Sequence, residues 1–211
     1  MNPRMLLNLP VFLNSRNKYP YFALGVLIGG SLYLLSNHFL LFPVHLLPFT
    51  RLDQAIPFIP ETVWIYNSDL FLFLFAYGFC KDMASASRYL YSFLAVLIVS
   101  VVVFFFWPTV YPRDLFPLPQ VLDPYTAKVF NHLRSVDAPS NCLPSLHVSV
   151  SYLSAFIYLD KQREKFPFFL GWATLVSLST LTTKQHYIAD VLTGLALAIL
   201  VHFIFRRLLK S

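Results

Sequence analysis

The sequence predicts an all-α membrane protein, a six-transmembrane helix bundle with both termini cytoplasmic. Three observations carry that reading. Hydrophobic residues make up 57% of the 211 residues, charged residues only 12%, and mean hydropathy is +0.60. A soluble domain carries about 25% charged residues, so there is too little charge to cover a water-facing surface. Apolar segments recur at lengths close to the roughly 20 residues that a helix needs to cross a bilayer. Finally, the lysines and arginines sit in the connections between those segments, and unevenly so.

Six spans are expected, at about Tyr21–Phe42, Thr62–Phe79, Tyr89–Trp107, Ser145–Leu159, Phe166–Thr182 and Tyr187–Phe205. The third is rich in Val and Phe and is closed by Pro108. The fourth and fifth are shorter or carry many hydroxyls. Together they make one membrane domain over 21–207. A cytoplasmic or interfacial arm (1–20) precedes it and a short tail (208–211) follows. The arm does not read as a signal peptide, because Pro10 and Asn14 interrupt its apolar stretch and no small-residue cleavage site follows.

Two loops are long and proline-rich. The first, near Pro43–Glu61, holds Pro43, Pro48, Pro57 and Pro60. The second, near Pro108–Pro144, holds Pro112, Pro117, Pro119, Pro124 and Pro139. Long irregular connections in a compact protein are often functional. With the N-terminus inside, eleven of the 16 Lys and Arg residues fall in cytoplasmic segments and five outside. The positive-inside rule therefore puts both termini in the cytoplasm and both long loops on the extracytoplasmic side. The net charge of +6 is spent on this asymmetry, with no basic stripe on a soluble module, which argues against a nucleic-acid partner. Cys80 and Cys142 fall at opposite faces in this topology, which excludes a disulfide between them and leaves both as packing residues.

Two stretches could do chemistry on the extracytoplasmic side. In "NCLPSLHVSV" (Asn141–Val150), Pro144 suits a first helical turn, where its missing N–H costs nothing. The amides of Ser145, Leu146 and His147 would then form a helix N-terminus, which attracts phosphate. Taken alone, the stretch reads equally as a capping serine beside an interfacial histidine. In "STLTTKQHYIADVLTG" (Ser179–Gly194), His186 and Asp190 are four apart and share a helix face. A carboxylate beside an imidazole fixes its tautomer and supports its positive charge. The alternative is an incidental ion pair, but Asp190 lies one turn into an apolar helix, where an unpaired carboxylate is costly. Lys184 and Arg113 add two cations at the same membrane face.

These stretches, "PSLH" followed by S-x6-H-Y-x-x-D-V-x-x-G, resemble the second and third signature blocks of the type 2 phosphatidic acid phosphatase (PAP2) superfamily, PSGH and SR-x5-H-x3-D. "LDQAIPFIPETVWIYNSDL" (Leu52–Leu70) also resembles a segment of the branch that contains inositolphosphorylceramide-synthase-like members. The chain departs from the pattern at four places. Leu146 stands for the glycine of PSGH, Thr180 for the arginine of the third block, and Phe106 for the lysine of the first block, K-x6-RP. Arg113 is the candidate for the arginine of that first block, followed by Asp114 instead of proline.

The resemblance implies a metal-independent, cofactor-free hydrolase of lipid phosphates or diphosphates in the cell membrane, with its site facing the extracytoplasmic side. His186 would attack phosphorus, Asp190 would orient it, and His147 would protonate the leaving oxygen and then activate water. Arg113, Lys184, Ser145 and Leu146 would line the phosphate site. Other readings use the same residues. A lipid hydroxyl could replace water, giving phosphotransfer. Two histidines and a carboxylate could form a facial metal triad, although Lys184 and Arg113 oppose a bound cation. A degraded site could serve lipid binding or transport without turnover. Asp69, near the outer end of the second span, is placed either at the site or as a cap. Glu61 is read as interfacial, Asp114 as the structural partner of Arg113, and Asn141 as a helper in capping the fourth span. His38, His45, His132 and His202 have no partner at an informative spacing.

Overall fold

The computed structural model describes residues 9–137 and 139–209. Most of the expected N-terminal arm is therefore included, but its first eight residues and the last two of the tail lie outside the described part. Among the described residues, three helices are long and apolar enough to cross a membrane: α1 (Lys18–His38), α5 (Met83–Phe106) and α9 (Ile188–Leu208). At 1.5 Å per residue each spans about 30 Å, the thickness of a hydrocarbon core. Their outward faces are apolar: Leu27 on α1, Ile98 on α5 and Leu200 on α9 are each more than half exposed. Such large exposed apolar faces suit lipid, not water.

Shorter helices complete the bundle. In chain order these are α2 (Arg51–Ala55), α3 (Val63–Asn67), α4 (Asp69–Phe79), α6 (Pro124–Val136), α7 (Leu146–Phe156) and α8 (Phe166–Thr182). The second expected span is α3 and α4 run together, interrupted only at Ser68, whose backbone stays helical at φ −72° and ψ −9°. The fourth is shorter than expected, because Ser145 caps it and the helix ends at Phe156. The third begins six residues early, where Asp82 caps α5 through the Ser85 amide at 2.8 Å. The fifth matches its expected bounds, Phe166–Thr182.

The fold is not purely helical. His45–Leu46 (β1) pairs in parallel with Thr109–Val110 (β2), and Thr109 bridges to Asn141. This small ladder ties the two proline-rich loops together over one end of the bundle. The second of these loops carries α6, started by Asp123, which accepts from the Thr126 amide at 2.8 Å, and by Pro124 in its first turn.

At the other end, Arg88 and Arg206 both pair with Asp160, at 2.5 and 2.6 Å, and Lys161 pairs with Asp82 at 3.0 Å. The Leu9 amide donates to the Leu208 carbonyl at 3.1 Å, so the two ends of the described chain meet. Cys80 and Cys142 are separate buried thiols.

α7 is the hub. It packs against α8, α9, α4 and α5, while α1 lies along α5. Several polar groups buried in the bundle find partners inside it: Ser149 Oγ donates to Gly194 O at 2.9 Å, Tyr158 OH to Ala76 O at 2.6 Å, and Tyr89 OH pairs with Ser154 Oγ at 2.9 Å, whereas the Ser87, Ser100 and Ser151 hydroxyls have no partner among the described residues. The closest approach is at Gly194 of α9. A Cβ there would lie 2.6 Å from the Ser145 carbonyl oxygen and 3.2 Å from Val148 Cβ. Only glycine lets the start of α7 come this near to α9, and that contact sets the distance between the two candidate histidines.

Candidate active site

The start of α7 is built from Ser145. Its hydroxyl accepts from the Val148 amide at 3.4 Å and its own amide donates to the Asp190 carbonyl at 3.1 Å. Pro144 precedes this cap and does not enter the first turn. The Ser145 amide, expected to be available for phosphate, is therefore used in the contact between α7 and α9, and Ser145 is fully buried. The Leu146 and His147 amides have no partner among the described residues, as expected of a helix N-terminus. The Leu146 side chain packs against the main core.

α9 is started by two carboxylates. Asp190 Oδ2 accepts from the Tyr187 amide at 2.8 Å, and Asp53 Oδ1, on α2 of the first loop, accepts from the Ile188 amide at 2.8 Å. Asp53 also closes a capping box with Thr50. The backbone of His186 is fixed from the other side, its amide donating to the Thr180 carbonyl at 3.2 Å. Thr180, which stands where the family pattern has arginine, is thus a helix-end residue, buried with its hydroxyl on the Ser177 carbonyl.

The side chains then meet. His186 Nδ1 lies 3.2 Å from Asp190 Oδ2, both buried. A carboxylate only accepts, so Nδ1 carries the proton and Nε2 keeps its lone pair. The His147 ring lies 6.1 Å from the His186 ring, centroid to centroid. Its Nδ1 faces Tyr66 OH at 3.2 Å, and its Nε2 faces Asp69 Oδ2 at 3.6 Å. Each histidine therefore has a carboxylate of its own. Asp69 joins the site, while Glu61 stays in the short turn before α3.

The two expected cations are placed differently. Arg113 is buried and faces Asp137: its Nη2 donates to Asp137 Oδ2 at 3.0 Å, and Nη1 donates to the Asp137 carbonyl. Its structural partner is Asp137, not the adjacent Asp114, which is exposed. Tyr33 OH donates to the other oxygen of Asp137. Burial alone would raise the Asp137 carboxyl, but Arg113, with help from His147 and Tyr33, holds it below its usual range. The Arg113 Nε has no partner among the described residues.

Lys184 turns away from the histidines. Its ammonium donates to the carbonyls of Asp53 at 3.1 Å and Ile56 at 2.6 Å and lies over the Phe116 ring. Burial pushes it below its usual range, opposed by Asp53. Its backbone is left-handed, at φ 56°, which is strained for a side chain with a Cβ. Phe106, where the family pattern has lysine, ends α5 largely exposed against Phe42.

Cys142, read from sequence as packing, lies beside the pair. Donor atoms of Cys142, His186 and Asp190 fall within 4.8 Å of one another, a set that could ligate a metal ion. The facial triad considered from sequence used His147 in place of the thiol. Burial, with the Asp190 charge adding to it, pushes the Cys142 thiol well above its usual range, and the thiol donates to the Pro139 carbonyl at 3.0 Å. Both effects favour the protonated thiol when no metal is bound.

Tyr66, Asp137, Cys142 and Asp53 are the site residues that sequence reasoning missed. Only Asp53 left a signal, as the fourth residue of Thr50-x-x-Asp53 ahead of a short helix. Of the remaining histidines, His132 shares a cavity with His147, whereas His202 lies with Arg88 near the far end.

A comparison with curated proteins and one with solved structures each return no match. A scan against family models matches that of the PAP2 superfamily over residues 31–204, which includes both histidines, both carboxylates and Arg113. The chain therefore belongs to the PAP2 superfamily, and its family supports a phosphatase-type enzyme.

Proposed function

We propose that the protein is an integral-membrane lipid phosphatase that hydrolyses a lipid phosphate or diphosphate at the extracytoplasmic face of the cell membrane. The single observation that carries this reading is the facing pair of imidazoles, 6.1 Å apart, each with its own carboxylate. The pair flanks a position for one phosphoryl group, where attack needs reacting atoms about 3–3.5 Å apart.

In the reaction, the lone pair of His186 Nε2 attacks phosphorus and the bond from phosphorus to the lipid oxygen breaks. Asp190 accepts the Nδ1 proton in a hydrogen bond and stabilises the ring as it becomes cationic. The leaving oxygen takes a proton from His147 Nε2. The 3.6 Å between Nε2 and Asp69 exceeds a hydrogen bond, so that proton is not committed to the carboxylate. Water then gives a proton to His147 and attacks the phosphohistidine, and the bond from phosphorus to nitrogen breaks. Acid–base help of this kind contributes about 10²–10⁴-fold. The equatorial oxygens are met by the amides of Leu146 and His147 and by Arg113 through its remaining donors, with Ser145 shaping the turn. Lys184 serves the site at one remove, by holding the first loop against the start of α9. No metal or cofactor enters this scheme.

The topology that goes with it has six crossings, with α3 and α4 forming the second, and both termini in the cytoplasm. It is supported by the excess of Lys and Arg at the end where Leu9 meets Leu208. The substrate and the surrounding lipids are its expected partners.

A second reading is favoured by Asp69. A carboxylate beside His147 strengthens it as a base, which suits deprotonation of a lipid hydroxyl and transfer of the phospho-group, as the likeness to the inositolphosphorylceramide-synthase-like branch would imply. The test is phosphate release from a panel of lipid phosphates and diphosphates by protein in detergent, with product analysis in mixed lipids. Loss of release in His186→Ala and Asp190→Asn supports the reading. Wild-type rates in both variants would sink it. Saturable lipid binding without any turnover by the wild type would favour a binding or transport role.

A further inference from the structure

Two cavities meet at His147. The outer one, about 440 Å³, lies between α1, α4 and α6 beside His132 and Asp137. The deeper one, about 200 Å³, runs down between α1, α4, α5 and α7, and its lining is overwhelmingly apolar: Val26, Phe73, Phe93, Leu97 and Val150 among others. Gly30, Tyr33, Asp69 and His147 line both. The deeper cavity therefore opens at the imidazole of His147. Along α1 it extends from Tyr33 to Val26, about 10 Å at 1.5 Å per residue.

Gly30 lies where the two cavities join. The neighbouring Gly29 has a packing reason, since a Cβ there would lie 3.2 Å from Leu97 and 3.3 Å from Phe93. A Cβ at Gly30 would meet nothing within 4 Å. Glycine inside a helix costs stability relative to alanine, and no close contact at Gly30 explains it. What its missing side chain does is leave the junction of the two cavities open.

We infer that the deeper cavity seats one hydrocarbon chain of the substrate, linear or isoprenoid, with its phosphorylated end at His147. The inference rests on reading the histidine pair as a phosphate site, and it names the substrate class as a lipid whose chain enters the bundle beside α1. The cavity's depth matches a chain that runs from the headgroup level toward the bilayer middle, and its lining offers a chain nothing but apolar surface below Asp69.

The test uses the full chain in lipid nanodiscs with hexadecyl and butyl phosphates as substrates, and with the matching non-hydrolysable phosphonates as binding probes. Gly30→Leu fills the junction with a good helix former. Gly78→Leu and Gly171→Leu are controls, because a Cβ at either also meets nothing and neither lines the cavities. The wild type and both controls are expected to bind hexadecyl phosphonate at least about 10-fold more tightly than butyl phosphonate, since each buried methylene adds to affinity. Gly30→Leu is expected to lose that preference. Equal chain preference in Gly30→Leu and the wild type would overturn the inference, as would no chain preference in the wild type. Chain-dependent phosphonate binding without turnover of either phosphate would leave the cavity assignment standing and overturn the phosphatase reading instead.

Discussion

His147 at the start of α7 faces His186 just before α9, with 6.1 Å between ring centroids, and the contact that sets this distance is backbone to glycine. The Ser145 amide donates to the Asp190 carbonyl at 3.1 Å, and Gly194 one turn further along lies under the Ser145 carbonyl. The two imidazoles are thus placed by main chain, with Asp69 and Asp190 acting on the rings once they are there.

Gly194→Ala tests that placement. The added Cβ would lie 2.6 Å from a backbone oxygen, so α7 must move. Overpacking of this kind costs about 1–3 kcal/mol. The expected result is a lower thermal midpoint in detergent together with a fall in kcat larger than that in KM. Wild-type kcat would show that the approach of α7 to α9 does not govern the histidine pair.

Asp69→Asn removes the charge facing His147 Nε2 and keeps the shape. If acid–base catalysis by His147 contributes the usual 10²–10⁴-fold, loss of its carboxylate is expected to lower kcat by about 10-fold with little change in fold. Tyr66→Phe, which removes the hydroxyl 3.2 Å from Nδ1, is expected to have a smaller effect. Steady-state kinetics on both variants checks the order. An Asp69→Asn enzyme with wild-type kcat and an unchanged ratio of hydrolysis to transfer would remove Asp69 from the mechanism.

Lys184→Met separates two roles for one cation. The ammonium holds the Asp53 and Ile56 carbonyls, and losing charged hydrogen bonds of this sort costs about 1.5–3 kcal/mol. The variant is expected to be less stable while its inhibition constant for inorganic phosphate stays within about twofold of wild type. A rise of that constant by about 10-fold, a loss of about 1.4 kcal/mol in binding, would make Lys184 a phosphate ligand after all.

The pair of Arg113 and Asp137 gives a pH dependence with a definite sign. Burial raises the Asp137 carboxyl, but Arg113, His147 and Tyr33 together bring it below its ordinary value. A depressed carboxylate contributes stability above its unfolded pKa, and that contribution is lost as pH falls through the folded pKa. In Arg113→Gln the burial effect is less opposed and the folded pKa rises toward or above the unfolded one, so the variant is expected to be less stable at neutral pH and to lose less further stability as pH falls. Thermal midpoints measured from pH 7 downward check this, and superimposable curves for the two proteins would contradict it.

How much of this was legible in the sequence depended on whether a feature is local. The pairing of His186 with Asp190 is short-range and was legible from their spacing, although His186 sits before α9 and reaches Asp190 from the turn and not from a shared helix face. The bounds of α8 follow from its apolar run between charged and hydroxyl-rich flanks. The partner of Arg113 was not legible, since Asp114 is adjacent in sequence while Asp137 arrives only through the loop that carries α6. Lys184 was misjudged for a related reason: nearness to His186 along the chain suggested a shared target, yet its left-handed backbone aims it at α2. Tyr66 and Cys142 reach the histidines by packing between helices, which no spacing rule reports. The parallel pairing of β1 with β2 joins residues more than sixty positions apart and left no periodic signal.

The most direct test of the central claim is acid-quenched trapping of the phosphoenzyme during turnover of a radiolabelled lipid phosphate. The account predicts a protein-bound label that is stable to base, labile to acid on prolonged exposure, and absent from His186→Gln. Turnover by the wild type with no trapped label, or equal labelling of His186→Gln, would contradict it.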